Sequence, residues 1–195
     1  AAVNAPSATV VSGRREAVER VAAFCEARGV RAVPLKVADG FHSVTMEPVL
    51  KRFAAVTGQL TYSQPTIRLI STVTGELDPG RLGEGMCSAQ YWVDQIRSTV
   101  RFADAIAYAE TQGSNLVIEV GPDAVLGPLT RQALPEVATV SLGRRGCMDS
   151  SMLNKGIASA WVHGAVVDWQ SFLGPSDWPM LDVPTYRFQR TRHWS

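Results

Sequence analysis

Leu116-Val117-Ile118-Glu119-Val120-Gly121-Pro122 decides the fold of this 195-residue chain. The run from Leu116 to Val120 is almost wholly apolar, does not alternate, and stops at Gly121-Pro122. That pattern reads as a short strand covered on both faces, not one with a face to water. Val125, Leu126 and Leu129 begin a helix that ends near Pro135, and Val137 to Leu142 reads as a further strand. Strands alternating with helices place the chain in the α/β class.

Upstream, the turn signal Asn4-Ala5-Pro6-Ser7 separates Val3 from the β-rich Thr9-Val10-Val11, which predicts two short strands joined by a turn. Ser12-Gly13 opens a helix with Val18, Val21, Ala22 and Cys25 on one face, and Gly29 ends it. Arg31 to Val37 alternates weakly and reads as a strand. Asp39-Gly40 interrupts, Phe41-His42-Ser43 follows, and Pro48 sits in the first turn of a helix with Val49, Phe53 and Val56 on one face. Ile67 to Val73 reads as a strand, and Asp78 to Gly85 as a Gly-rich loop. Tyr91, Trp92 and Ile96 mark a short helix, and Phe102 to Gln112 marks another. Past Gly143 the character changes. A helix from about Met152 to Val162 leads to Val166-Val167-Asp168-Trp169 and a tail with Pro175, Pro179, Pro184, Arg187, Arg190 and Arg192. Leu181, Val183, Tyr186, Phe188 and Trp194 make that tail too apolar for a flexible linker, so it is expected to lie extended along another protein surface.

A net charge of +1 gives no reason to expect a nucleic-acid or membrane partner, and no apolar run reaches the length of a span. The first residues have no basic segment or apolar stretch of a signal peptide and read as the middle of a longer chain. Cys25, Cys87 and Cys147 are far apart and odd in number, which suits reduced thiols in the cytoplasm and neither zinc nor a disulfide framework.

His42 is the most informative of three histidines. It follows a predicted strand in a Gly-marked loop, where α/β proteins place functional side chains, and a neutral imidazole there can serve as general base for a hydroxyl. Position alone favours a structural role, the commoner one for a lone loop histidine. His163 and His193 have no chemical neighbours and read as structural or exposed. Glu47, five residues after His42, suits neither metal ligation nor a dyad. The chain contains no G-x-S-x-G elbow, P-loop or metal motif, and no elbow surrounds Ser43. The turn after Glu119 is either a functional loop or an ordinary strand stop.

The segments Val3-Asn4-Ala5-Pro6-Ser7, Gly40-Phe41-His42-Ser43, Met46-Glu47-Pro48-Val49, Ser71-Thr72-Val73-Thr74-Gly75, Tyr91-Trp92, Val100-Arg101-Phe102, Ile118-Glu119-Val120-Gly121-Pro122, Val167-Asp168-Trp169 and Val183-Pro184-Thr185-Tyr186-Arg187-Phe188-Gln189-Arg190 stand in one order over nearly the whole chain. Together they resemble acyltransferase domains of type I polyketide synthases and, more distantly, malonyl-CoA:acyl-carrier-protein transacylases. The resemblance implies part of a ferredoxin-like small lobe (residues 1–37), the C-terminal part of a hydrolase-like α/β large lobe (38–145) and a docking linker (146–195). It implies ping-pong transfer of an extender acyl group from CoA, through a serine ester, to the phosphopantetheine thiol of an acyl carrier protein. His42 matches the family's catalytic histidine, and Gln95, where many relatives have Asn, matches the residue whose main-chain carbonyl orients it. The serine elbow and the carboxylate-binding arginine have no match here. Phe41 stands where the family has Phe with malonyl-CoA and Ser with methylmalonyl, so malonyl is expected, unless Phe41 only packs in the core. Asp39-Gly40 replaces the usual His-Ala, and Gly40 is expected to let the loop shift and relax the pocket. The implied partners are malonyl-CoA, the carrier protein and the neighbouring ketosynthase, with no metal and no cofactor held by this segment. A structural docking segment without chemistry of its own is the competing reading. An unrelated serine hydrolase fragment fits poorly with the closing Tyr186 to Arg190 motif.

Overall fold

The computed structural model describes residues 1–37, 39–147, 150–174 and 182–194, so Ala38 and Leu181, which bound predicted segments, and the tail prolines Pro175 and Pro179 lie outside them. The chain divides into two units, residues 1–165 and 166–195.

In the first unit, β1 (Ala2–Ala5) and β2 (Ala8–Val10) form an antiparallel hairpin with Ala2 opposite Val10 and Val3 opposite Thr9. The outer edge of β1 is not left open. Val3 donates to the Val100 carbonyl at 2.9 Å and Val100 to that of Ala1 at 2.8 Å. Helix α1 (Arg15–Glu26) follows and ends before Gly29, which takes φ +73°, a conformation only glycine adopts without strain. Its expected face buries nothing. Val21 and Phe24 are exposed, and the Arg28 guanidinium lies 3.5 Å over the Phe24 ring.

The strand expected at Arg31 to Val37 is absent. Val33, Leu35 and Val37 are exposed, and no strand pairs with them among the described residues. Pro34 has no N–H to give a ladder, which weakens any pairing here. After a single 3-10 turn (Val44–Met46), α2 spans Glu47–Thr57 with Pro48 in its first turn. Its inner row shares only Phe53 with the predicted one. Leu50, Phe53 and Thr57 are covered, while Val49 and Val56 are exposed.

The strand expected at Ile67 to Val73 is also a miss. The segment makes one antiparallel bridge, Ile70 to Leu77, and then turns at Gly75, φ +80°. The buried Ser71 hydroxyl accepts from the N–H groups of Val73 and Thr74 at 3.1 and 3.3 Å. That local hydrogen bonding takes the backbone donors a ladder would need. The Gly-rich loop closes on the buried Asp78, whose carboxylate accepts from Gly80 N–H at 2.9 Å and Met86 N–H at 2.7 Å.

Helix α3 (Ala89–Arg97) is capped by the Ser88 hydroxyl and packs on α2. The Tyr91 hydroxyl meets that of Ser71 at 2.9 Å. Helix α4 (Phe102–Thr111) leads to β3 (Leu116–Glu119), α5 (Leu126–Ala133) and β4 (Ala138–Ser141). β3 and β4 pair in parallel, Leu116 beside Ala138 through Glu119 beside Ser141, with α5 as the crossover. β3 is covered less completely than its composition suggests, since Ile118 and Val120 are exposed. Val93, Ala105, Val137, Val140 and Ala160 are buried where these elements meet. Helix α6 (Ser150–Val162) crosses the end of β4 at Gly156, where a β-carbon would come within 3.0 Å of the Ser141 carbonyl.

The second unit holds the short helix α7 (Trp169–Leu173), capped by Asp168, whose carboxylate accepts from the Ser171 N–H and hydroxyl at 2.9 and 2.6 Å. Residues 182–194 form neither helix nor strand, and the Tyr186 and Phe188 rings meet edge to face at 5.0 Å.

Candidate functional site

The site is built at the C-terminal end of α3. The carbonyls of a helix's last turn have no partner further along the helix and carry its negative partial charge. The Asp94 carbonyl is taken by Ser98 N–H at 2.8 Å. The next two accept from His42: the Ile96 carbonyl from its backbone N–H at 3.1 Å, and the Gln95 carbonyl from its ring, where Nδ1 lies 3.0 Å away. The Ser98 carbonyl lies 2.9 Å from the same Nδ1. Carbonyl oxygens only accept, so Nδ1 carries the hydrogen. In the neutral ring that leaves the Nε2 lone pair free to take a proton.

His42 reaches these groups from a left-handed backbone, φ +57°, the one positive φ outside glycine among the described residues. Such a conformation costs roughly 1–3 kcal/mol and persists where neighbours over-determine it. Here the loop is tied internally and externally. The Gly40 carbonyl accepts from the Ser43 hydroxyl at 2.6 Å and the Thr45 hydroxyl at 3.0 Å. Ser43 Oγ also accepts from Thr45 N–H at 3.2 Å and caps the 3-10 turn. The Ser12 hydroxyl donates to the Phe41 carbonyl at 2.5 Å. Arg97 and Glu47 pair at 3.3 Å across the mouths of α2 and α3, but both are about half exposed, so the pair contributes at most about 1 kcal/mol.

Gly40 does not have a positive φ. It is small because of room: a β-carbon there would stand 2.6 Å from the Thr45 hydroxyl oxygen and 3.2 Å from that of Ser43. Phe41, beside His42, is 50% exposed. The other two histidines make local hydrogen bonds. His163 Nδ1 lies 2.8 Å from the Ser159 carbonyl on α6, and His193 pairs with Thr191 at 2.8 Å.

Glu119 has a different part. Its Oε1 accepts from the N–H groups of Val125 and Leu126, and its Oε2 from that of Gly127, each at 2.9 Å, so the carboxylate closes the N-terminus of α5. Burial pushes its pKa up, but those N–H donors together outweigh it and hold the carboxyl below the ordinary range. The turn after β3 is therefore a helix start organised by its own strand. Asp123 in that turn takes Ala124 N–H at 2.9 Å and pairs with Arg145 at 3.6 Å. Among the described residues, no group of three histidine, cysteine or acidic side chains is arranged to hold a metal ion.

Sequence reasoning missed the Ser98 and Ile96 carbonyls, the left-handed backbone at His42 and the tie from Ser12. The carbonyls leave no trace in side-chain identity. Ser12 did carry a signal, but the signal reads as a helix opener, and α1 starts without any side-chain cap.

A profile of the acyl transferase domain family matches residues 1–160. Mycoketide-CoA synthase of Mycobacterium tuberculosis is 39% identical over 196 residues, covering 100% of this chain and 5% of that protein. Polyketide synthase GfsA of Streptomyces halstedii is 36% identical over 199 residues, covering 100% of this chain and 3% of that protein. Among solved structures, the acyltransferase domain from the second module of the salinomycin polyketide synthase superposes with a TM-score of 0.81 at 36% identity, over 90% of this chain and 41% of that one. The malonyl CoA-acyl carrier protein transacylase from Clostridium perfringens has a TM-score of 0.72 at 22% identity, over 84% of this chain and 49% of that one, a likeness of fold. The chain thus spans less than half the length of each of these four proteins.

Proposed function

The chain belongs to the acyl transferase domain family, and from that premise we propose that it supplies the general base of a polyketide synthase acyltransferase, His42, while the nucleophilic serine comes from residues outside it. The observation that carries the proposal is the double anchoring of Nδ1 on the Gln95 and Ser98 carbonyls, which leaves Nε2 as the basic nitrogen. In the first half-reaction Nε2 takes the serine hydroxyl proton as Oγ forms a bond to the thioester carbon of malonyl-CoA. The C–S bond then breaks, and the imidazolium returns the proton to the departing CoA sulfur. In the second half, the phosphopantetheine thiol gives its proton to Nε2 and attacks the acyl ester. Serine Oγ leaves and recovers the proton. The α3 C-terminus behind Nδ1 complements the positive charge the ring carries between these steps.

Phe41 beside the base would fill the space an α-methyl group needs, which favours malonyl over methylmalonyl. Residues 1–37 are read as part of the ferredoxin-like lobe, 38–145 as large lobe, and 146–195 as the docking segment. Val183, Tyr186, Phe188 and Trp194 are exposed, and this supports a tail laid on a partner surface, the ketosynthase, in a cytoplasmic synthase. The carrier protein is the second partner.

The test uses the complete domain. His42→Ala lowers the rate of malonyl loading from malonyl-CoA roughly 10²–10⁴-fold, and this chain alone holds no stable label on a denaturing gel. Unchanged loading by His42→Ala removes His42 as the base.

A further inference from the structure

We propose that Ser12 is a positioning residue for the base: its hydroxyl holds the peptide from which His42 makes its left-handed turn. The proposal rests on His42 being the base. The peptide joining Phe41 to His42 is gripped at both ends. Its oxygen accepts from Ser12 at 2.5 Å, and its N–H donates to the Ile96 carbonyl at 3.1 Å. The angle φ of His42 is the rotation about the bond that leaves this same peptide nitrogen. A fixed peptide plane is therefore the reference from which +57° is set. Without the Ser12 tie, the peptide can turn about its remaining hydrogen bond and relax toward negative φ, the conformation a side chain with a β-carbon prefers. That relaxation swings the ring away from the Gln95 and Ser98 carbonyls, and Nε2 moves with it.

The ordinary task for a serine just ahead of a helix is to cap it. Ser12 does not do so: Arg14 occupies the cap position of α1, and no side-chain cap bond is made there. Its hydroxyl instead crosses to a loop 29 residues later in the chain. The two loops also approach closely through their backbones, since a β-carbon on Gly40 would stand 3.3 Å from Gly13 N. The segment between β2 and α1 thus shapes the loop of the base.

The experiment compares Ser12→Ala, Ser12→Cys, Ser12→Thr and His42→Ala in the complete acyltransferase domain. Steady-state transfer from malonyl-CoA to the carrier protein gives kcat and KM, and ¹⁵N spectra of the labelled histidines give the tautomer of His42. Ser12→Ala is expected to lower kcat roughly 10-fold with KM within about 2-fold, because the base is displaced and the substrate site is not. Ser12→Thr restores most of the rate, Ser12→Cys falls between, and the Nδ1–H tautomer loses its dominance in Ser12→Ala alone. Wild-type kcat in Ser12→Ala overturns the proposal, as does a loss that Ser12→Thr fails to rescue while the tautomer stays unchanged. Inactive His42→Ala beside fully active Ser12→Ala sinks only the role of Ser12. Active His42→Ala sinks the base reading and this proposal with it.

Discussion

Gly40→Ala separates two opposite accounts of the loop. If this glycine is there for flexibility, alanine removes unfolded-state freedom and stabilises the domain by about 0.4–1 kcal/mol. The structure points the other way. The new β-carbon would stand 2.6 Å from the Thr45 hydroxyl oxygen, where ordinary contact begins at 3.4 Å, so that oxygen must retreat by about 0.8 Å. Retreat breaks the Thr45 bond to the Gly40 carbonyl and its contact with Ser43 Oγ, 3.0 and 2.8 Å long. One lost bond costs about 0.5–1.5 kcal/mol, and with the steric displacement added the expected destabilisation is about 1–3 kcal/mol, the usual size of an overpacked site. The same displacement moves the peptide before His42, so malonyl loading falls as well. The assay is urea denaturation of the complete domain together with its loading rate, in Gly40→Ala, Thr45→Ala and the double variant. Removing the Thr45 hydroxyl makes room, so the double variant is expected to lose less than the sum of the two single losses. A Gly40→Ala domain as stable as wild type, or more stable, refutes the steric argument.

Phe41→Ser is expected to shift the competition between malonyl-CoA and methylmalonyl-CoA toward methylmalonyl by roughly 10–200-fold, the worth of one methylene-sized space; an unchanged kcat/KM ratio removes Phe41 from the argument. Glu119→Ala leaves the Val125, Leu126 and Gly127 N–H groups without their acceptor and is expected to cost about 2 kcal/mol, with faster exchange of those amides; Glu119→Gln keeps one acceptor oxygen and costs about half as much. Because the folded Glu119 carboxyl is held below the ordinary glutamate range, its stabilisation is complete above that range and lost as pH falls through the lowered folded value. The gap in urea midpoint between wild type and Glu119→Gln therefore narrows from neutral to acid pH, and a gap that widens in acid contradicts the assignment.

The helices were legible because their ends are marked by residues with one conformational job. Gly29 ends α1, Pro48 opens α2, and Gly121-Pro122 stops β3 ahead of α5. The missed strands failed for want of a partner, not for want of composition. Arg31 to Val37 has the apolar residues, yet Val33, Leu35 and Val37 are exposed and Pro34 cannot donate. Ile67 to Val73 has them too, but Ser71 spends the local N–H groups on a turn. Strand content depends on pairing across the chain, which a run of side chains does not encode.

The site divides along the same line. His42 was legible because its chemistry sits in its side chain, and Gly40 because a small residue beside it breaks the pattern. The groups that aim the ring are main-chain carbonyls at positions 95 and 98, and every residue type has one. What selects them is where α3 stops. Ser88 caps its start, and Ser98, with ψ 152°, ends it one residue after Arg97. That ending releases the Gln95 and Ile96 carbonyls toward the loop. A change of side chain at Gln95 therefore leaves the main-chain hydrogen bond to His42 untouched, whereas a residue that carried α3 one turn further would claim the Gln95 and Ile96 carbonyls for the helix and withdraw both from His42.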